Sequence, residues 1–195
     1  MHGEVWNEAD ELARALVTES GAVYVSPFDD PLLWEGHATL VDEVVAECAV
    51  TGRSFPGEMI VATGGGGMLC GVMQGLERHG LLEQVQVVAA ETEGAASYAL
   101  ALREGKVVAL DGIDTLATSL GAKAVAQAAF DWSLKGRVES FVVSDAEAIA
   151  ACRAFDDDFG VKVEPACGAA LAYVYGRERQ GGDVLVEVCG GLLWR

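Results

Sequence analysis

Basic residues are scarce in this sequence. Thirteen Lys and Arg stand against thirty Asp and Glu, a formal charge of −17 over 195 residues. A surface of that sign repels phosphate backbones and argues against nucleic acid as a partner. It does not exclude one small anion, because backbone dipoles converging on a point outweigh a distant average field. Cysteine pairing is absent as well. The five cysteines, Cys48, Cys70, Cys152, Cys167 and Cys189, are odd in number, widely spaced and set mostly among Ala, Val and Gly. Neither a zinc site nor a disulfide framework is expected, and Cys48, Cys70 and Cys152 read as buried thiols. No apolar run approaches the ~20 residues that a membrane helix needs. The start, Met1-His2-Gly3-Glu4-Val5-Trp6-Asn7-Glu8, lacks the basic flank and apolar core of a signal peptide, so a cytoplasmic location is expected. Repeats, low-complexity tracts and an interdomain linker are lacking too.

What is present is a chain that is 51% hydrophobic, long enough for one substantial core. Helical periodicity alternates with short β-branched runs, which predicts an α/β fold, a mostly parallel sheet flanked by helices, as a single domain over 1–195. Helices are expected over 4–18, with Ala9, Leu12, Ala15 and Leu16 inward, and over 37–49, with Leu40, Val41, Val44 and Val45 inward. Further helices are expected over 68–79, 95–104, 123–132 and 167–175. Another should be capped by Asp145, with Glu147 in its first turn. Strands are expected over 22–25, 59–62, 85–90, 140–143 and 184–188. Pro27, Pro31 and the pair Asp29-Asp30 suit a turn between the first strand and the second helix.

The strand over 59–62 runs into Gly64, Gly65, Gly66 and Gly67 and then directly into a helix. Each glycine costs about 1 kcal/mol of backbone entropy, so four in a row call for a positional reason. A loop without side chains lets the backbone approach a ligand. At a helix start it aims unpaired N–H groups and the positive dipole end at one point, which is a phosphate site. The dinucleotide pattern GxGxxG fails, since Leu69 and Cys70 stand where its last glycine would be. A Walker motif fails for want of a following Lys-Ser or Lys-Thr. Glu91, at the end of the next strand, stands where a ribose-binding acid would, and keeps a nucleotide reading open.

Several blocks occur together and in order: Ser26-Pro27-Phe28-Asp29-Asp30-Pro31 with Trp34-Glu35-Gly36-His37-Ala38, and the glycine run with Met68-Leu69-Cys70-Gly71-Val72. Then come Glu91-Thr92-Glu93-Gly94-Ala95, Leu116-Ala117-Thr118-Ser119-Leu120-Gly121, Val163-Glu164-Pro165-Ala166-Cys167-Gly168-Ala169-Ala170, and Val188-Cys189-Gly190-Gly191. In these blocks the sequence resembles the serine/threonine dehydratases of the tryptophan-synthase-β group of pyridoxal-phosphate enzymes (fold type II), nearest to the L-serine dehydratase branch. The resemblance implies pyridoxal 5'-phosphate as cofactor, its phosphate held by Gly64, Gly65, Gly66, Gly67 and the Met68 amide. It also implies that Cys189 faces the pyridine nitrogen. A thiol there, unlike a carboxylate, does not encourage ring protonation, which suits β-elimination. A monovalent cation (K+) is implied at Glu91, Ala95, Leu120 and Ala122, largely through backbone carbonyls.

The family's covalent lysine, carried in a Ser-x-Lys segment, has no counterpart here, nor has its Ser-Gly-Asn loop. Lys106, Lys135 and Lys162 lie in other contexts and read as surface residues; Lys123 follows a loop expected to approach the site, but its family counterpart is not the catalytic lysine, so no catalytic residue is assigned. The opening residues resemble the middle of a dehydratase, and Leu192-Leu193-Trp194-Arg195 stand where relatives continue with Ser-Asn and a helix. The expectation is a cofactor-binding part that converts L-serine, and L-threonine as a second substrate, to a 2-oxo acid and ammonia only when a complementary N-terminal segment is supplied. Catalysis by the lone chain is expected to be negligible. A homodimer is an alternative assembly. The alternative functions are a non-catalytic module that binds pyridoxal phosphate or another anion, and a nucleotide-binding Rossmann-like domain.

Overall fold

The computed structural model describes residue 3, residues 6–176 and residues 181–190. Runs rich in Val and Ala form four strands, β1 (Glu58–Ala62), β2 (Gln86–Thr92), β3 (Val138–Val143) and β4 (Val184–Val186), in one parallel sheet of order β3-β2-β1-β4. The chain leaves β1 toward β2 on one side, while β4 pairs with β1 on the other. Strand order therefore reverses at β1, the place where open parallel sheets bind ligands beyond their carboxyl ends.

Seven helices are described: α1 (Trp6–Ser20), α2 (Pro31–Thr51), α3 (Gly67–Arg78), α4 (Ser97–Glu104), α5 (Gln127–Ser133), α6 (Asp145–Phe159) and α7 (Pro165–Tyr175). The central strands are apolar on both sides because helices cover both. Met59, Val61, Val87 and Ala89 meet Val41 of α2, Leu69, Met73 and Leu76 of α3 and Phe130 of α5. Ile60, Val88 and Ala90 face the opposite way, toward α6 and α7. Each fully buried Val or Leu contributes about 1.5–3 kcal/mol relative to exposure.

Several boundaries differ from the sequence reading, each for a local reason. Helix α2 begins at Pro31 rather than 37, since Asp30 caps it by accepting the Leu32 N–H at 2.9 Å, and it ends at Gly52, left-handed with φ 71°. Helix α5 begins at Gln127 rather than 123, because the preceding backbone is committed elsewhere: the Lys123 carbonyl accepts from Leu110 and the Ala126 N–H donates to Gly65. Residues 22–25 are not a strand. Val23 and Val25 are exposed, and no neighbouring strand among the described residues completes a ladder. Helix α1 has no buried residue, so its expected inward face is uncovered, and Leu12 and Leu16 are exposed. Of the α2 residues expected inward, Val41 is fully buried and Leu40, Val44 and Val45 are half-buried. Cys70, Cys152 and Cys167 are buried, whereas Cys48 is only half-buried. Strand β4 ends at Val186, two residues early. Glu4 and Val5 of the first helix, and Gly191 with the four residues after it, lie outside the described residues.

Asp145 does not cap α6. Ser144 does, in a capping box: its hydroxyl accepts the Glu147 N–H, while the Glu147 carboxylate accepts from the Ser144 N–H at 2.8 Å. That frees Asp145 for a longer reach. Its carboxylate accepts from the Thr115 hydroxyl at 2.5 Å and the Leu116 N–H at 2.8 Å, and Thr115 bonds Thr92 at the end of β2. The loop after residue 112 is thereby fastened to both β2 and α6. Removing the cap with Ser144→Ala should lower unfolding free energy by about 1 kcal/mol. Asp145→Ala, which orphans two donors to a charged acceptor, should cost about 2 kcal/mol. Urea denaturation of the two variants checks the order.

Candidate cofactor site

Gly66 is the residue before the first turn of α3 and is left-handed, with φ 88°. A side chain there would be strained, and its Cβ would lie 2.6 Å from that of Ala129. At Gly65 a Cβ would lie 2.2 Å from the Phe28 ring. The loop is thus pressed between the Phe28 turn on one side and α5 on the other. The Trp34 indole holds that turn by donating to the Phe28 carbonyl at 2.6 Å, and the Ala126 N–H holds the loop by donating to the Gly65 carbonyl at 2.9 Å. Gly66 offers α3 no side-chain cap. The N–H groups of Gly67, Met68 and Leu69 have no acceptor within the helix and are the donors an anion would take.

These groups border a cavity of about 460 Å³ at the carboxyl ends of β1 and β4. It brings together Gly64, Gly65, Gly66, Gly67, Met68, Leu120, Ala122 and Cys189. Glu91 and Ala95 are not in its wall; both are fully buried behind it. None of the four lysines borders it. Lys106, Lys135 and Lys162 are exposed, and Lys123 donates to the Asp111 carbonyl at 3.3 Å.

Glu91 serves the fold directly. One carboxylate oxygen accepts the Tyr98 N–H at 2.7 Å; the other accepts the Ala99 N–H at 2.8 Å and the Ser140 hydroxyl at 3.3 Å. It caps α4 from a neighbouring strand, where the helix dipole favours an acid. Buried and turned to this task, it is not offered to a ribose, and the nucleotide reading loses its acid. Leu120 and Ala122 form a tight turn, the Ala122 N–H donating to the Leu120 carbonyl at 2.8 Å, and the Ser97 hydroxyl makes a long contact of 3.4 Å with the Gly64 carbonyl.

Cys189 follows β4 and, although exposed, borders the cavity. The thiol donates to Glu187 at 2.6 Å. Burial, and then that carboxylate, push it up to about 12. Glu187 escaped the sequence reading, although an acid beside the apolar Val184-Leu185-Val186 run was the visible signal. Glu164, quoted only within a motif, accepts from the Ser119 hydroxyl at 2.7 Å in the same wall. His37, quoted only within a motif, also borders the cavity.

Uncapped backbone N–H groups at the start of α3 therefore border a cavity that Cys189 also borders. Residues 1–190 match the family model described as pyridoxal-phosphate dependent enzyme. The chain belongs to that family. It is 46% identical to a serine dehydratase-like protein of Rattus norvegicus, over 97% of this chain and 59% of that protein. It is 44% identical to the L-serine dehydratase/L-threonine deaminase of Homo sapiens, over 97% of this chain and 60% of that protein. Among solved structures, a fungal L-serine ammonia-lyase from Rhizomucor miehei superposes with TM-score 0.87 at 36% identity, covering 97% of this chain and 61% of that one. The chain spans about 60% of the length of these relatives. The parallel sheet covered by helices is the cofactor-domain fold of fold type II members of the family, as the sequence predicted.

Burial pushes the Glu91 carboxyl up to about 7, the N–H groups of Tyr98 and Ala99 and the Ser140 hydroxyl offsetting only part of the lost hydration. Its folded value lies above the ordinary 4.5. Folding therefore favours the protonated form, a contribution complete below pH 4.5 and lost as pH rises through about 7. Glu91→Gln does not titrate. The stability of the native chain relative to that variant should fall by about 3 kcal/mol between pH 4.5 and 8, read by denaturant unfolding at each pH. A difference independent of pH would contradict the burial.

Proposed function

We propose that this chain binds pyridoxal 5'-phosphate, with the phosphate on the N–H groups of residues 64–68 and the ring nitrogen toward Cys189, as the cofactor-holding part of an L-serine dehydratase. The observation that carries the reading is the single cavity at the strand-order reversal that joins the start of α3 to Cys189. The fit is physical. The dipole end and the unpaired N–H groups suit a dianion, and Ala62, Ala166 and Cys167 offer an apolar wall to a planar ring. When bound, the cofactor supplies the electron sink that β-elimination from an amino acid needs. The chain's own part is to hold the phosphate, fix the ring's tilt and keep water from its buried edge.

The substrate in this reading is a small amino acid, L-serine or L-threonine, and the product a 2-oxo acid with release of ammonia. A lysine to move the substrate's α-proton would come from a complementary segment, because none of this chain's lysines borders the cavity. That same observation favours, for the chain by itself, holding the cofactor or another anion without turnover. A monovalent cation, K+, belongs to the proposal at Glu91, Ala95, Leu120 and Ala122; it would draw the Glu91 carboxyl back toward its ionised form, opposing burial. So do a homodimer as a further assembly and a cytoplasmic location, with which five free thiols agree. Among the described residues no helix is long and apolar enough to cross a membrane.

Incubation with pyridoxal phosphate and L-serine should give saturable binding without 2-oxo acid, and borohydride treatment should trap no single lysine stoichiometrically. Turnover by the chain alone, or one lysine labelled in full, would overturn the assignment of roles. Gly66→Ala, strained at φ 88° and crowded by Ala129, should weaken cofactor binding at least about tenfold. Fluorescence titration measures it.

A further inference from the structure

Glu187 is an acid where the sheet asks for an apolar residue. It follows the apolar run of β4, its N–H donates to the Ile60 carbonyl at 2.9 Å, and it is 8% exposed. A carboxylate removed from water needs hydrogen bonds in exchange. One of its oxygens has one, from the Cys189 thiol at 2.6 Å; the other is buried with no partner among the described residues. Residues two apart on an extended chain point the same way, so the backbone itself brings the pair together. Glu187 borders the groove of about 680 Å³ between β4 and α2, and Cys189 borders the cradle cavity, so the pair bridges the wall between them.

We propose that Glu187 is a positioning residue for Cys189: its carboxylate accepts the thiol's hydrogen bond, and the sulfur faces the cavity as a hydrogen-bond acceptor whose complement is a protonated ring nitrogen. This rests on the reading of the cavity as a pyridoxal phosphate site and alters one property of it. A thiol free to rotate can donate to an unprotonated pyridine nitrogen. A thiol held by a carboxylate cannot, and it accepts instead. The buried negative charge behind the sulfur acts in the same direction, favouring the cationic ring. The site would then take its cofactor as a stronger electron sink than a neutral ring, and Glu187, through Cys189, would set that strength.

Two measurements with Glu187→Gln in the whole chain separate this inference from the cofactor reading. The first needs no cofactor: alkylation of Cys189 by iodoacetamide is followed against pH by mass spectrometry of the peptide that carries it. Removing the charge should raise the rate near pH 8 at least about tenfold and move the profile to lower pH. Superimposable profiles overturn the pairing. The native chain supplies a check that does not depend on the variant's folding, because an ordinary profile centred near 9 in the native chain also overturns it.

The second measurement uses pyridoxine 5'-phosphate, which has the ring and phosphate but no aldehyde, and reads ring-nitrogen protonation from its ultraviolet absorbance. Bound to the native chain, the ring should keep its proton to a higher pH than when bound to Glu187→Gln, by about one unit, a tenfold change in the protonation equilibrium. Equal ionisation overturns the ligand-facing half of the proposal. If neither protein binds the probe, the cofactor reading fails with it, and the alkylation profile still decides the pairing.

Discussion

Helix α3 begins with N–H groups that have no acceptor inside the helix and no side-chain cap in front of them. Most helices meet this deficit with a Ser, Thr or Asp, as α6 does with Ser144 and α2 with Asp30. Here a left-handed glycine stands at that position, and the surrounding structure leaves the donors facing a cavity. The Phe28 turn presses the loop from one side and Ala129 from the other, so the glycines are fixed in place by contacts that a Cβ would abolish. Local stability is given up at one helix start, and the proposed cofactor phosphate would restore it when bound.

The rest of the cradle depends on polar anchors that act at a distance in sequence. Glu91 holds the start of α4 from β2, and Asp145 holds the loop after residue 112 from α6, with Thr115 and Thr92 between them. These links fix the turn at Leu120 and Ala122 against the glycine loop. Glu187 extends the same device to the opposite wall, where it governs the direction in which Cys189 presents its sulfur.

Much of this was legible in the sequence where local rules decide. The α/β alternation, the parallel sheet and the glycine loop at the start of α3 follow from periodicity and backbone chemistry, and the ordered blocks carried the family. What was not legible depends on partners far along the chain. Residues 22–25 have the composition of a strand but no strand to pair with among the described residues. The apolar face of α1 is uncovered among the described residues. Asp145 resembled a cap until Ser144 took that role and left it free to reach Leu116. Glu91 resembled a ribose-binding acid at a strand end, whereas its oxygens hold α4. In each case a tertiary contact, invisible to a window of residues, decided the outcome.

The central claim is that the start of α3 recognises a phosphate and that this contact dominates cofactor binding. Calorimetric titration of the whole chain with pyridoxal 5'-phosphate and, separately, with pyridoxal tests it most directly, since the two differ by the phosphate alone. The account predicts that pyridoxal binds at least about a hundredfold more weakly, the worth of several charge-assisted hydrogen bonds to a helix start. Equal affinity for the two compounds would contradict it.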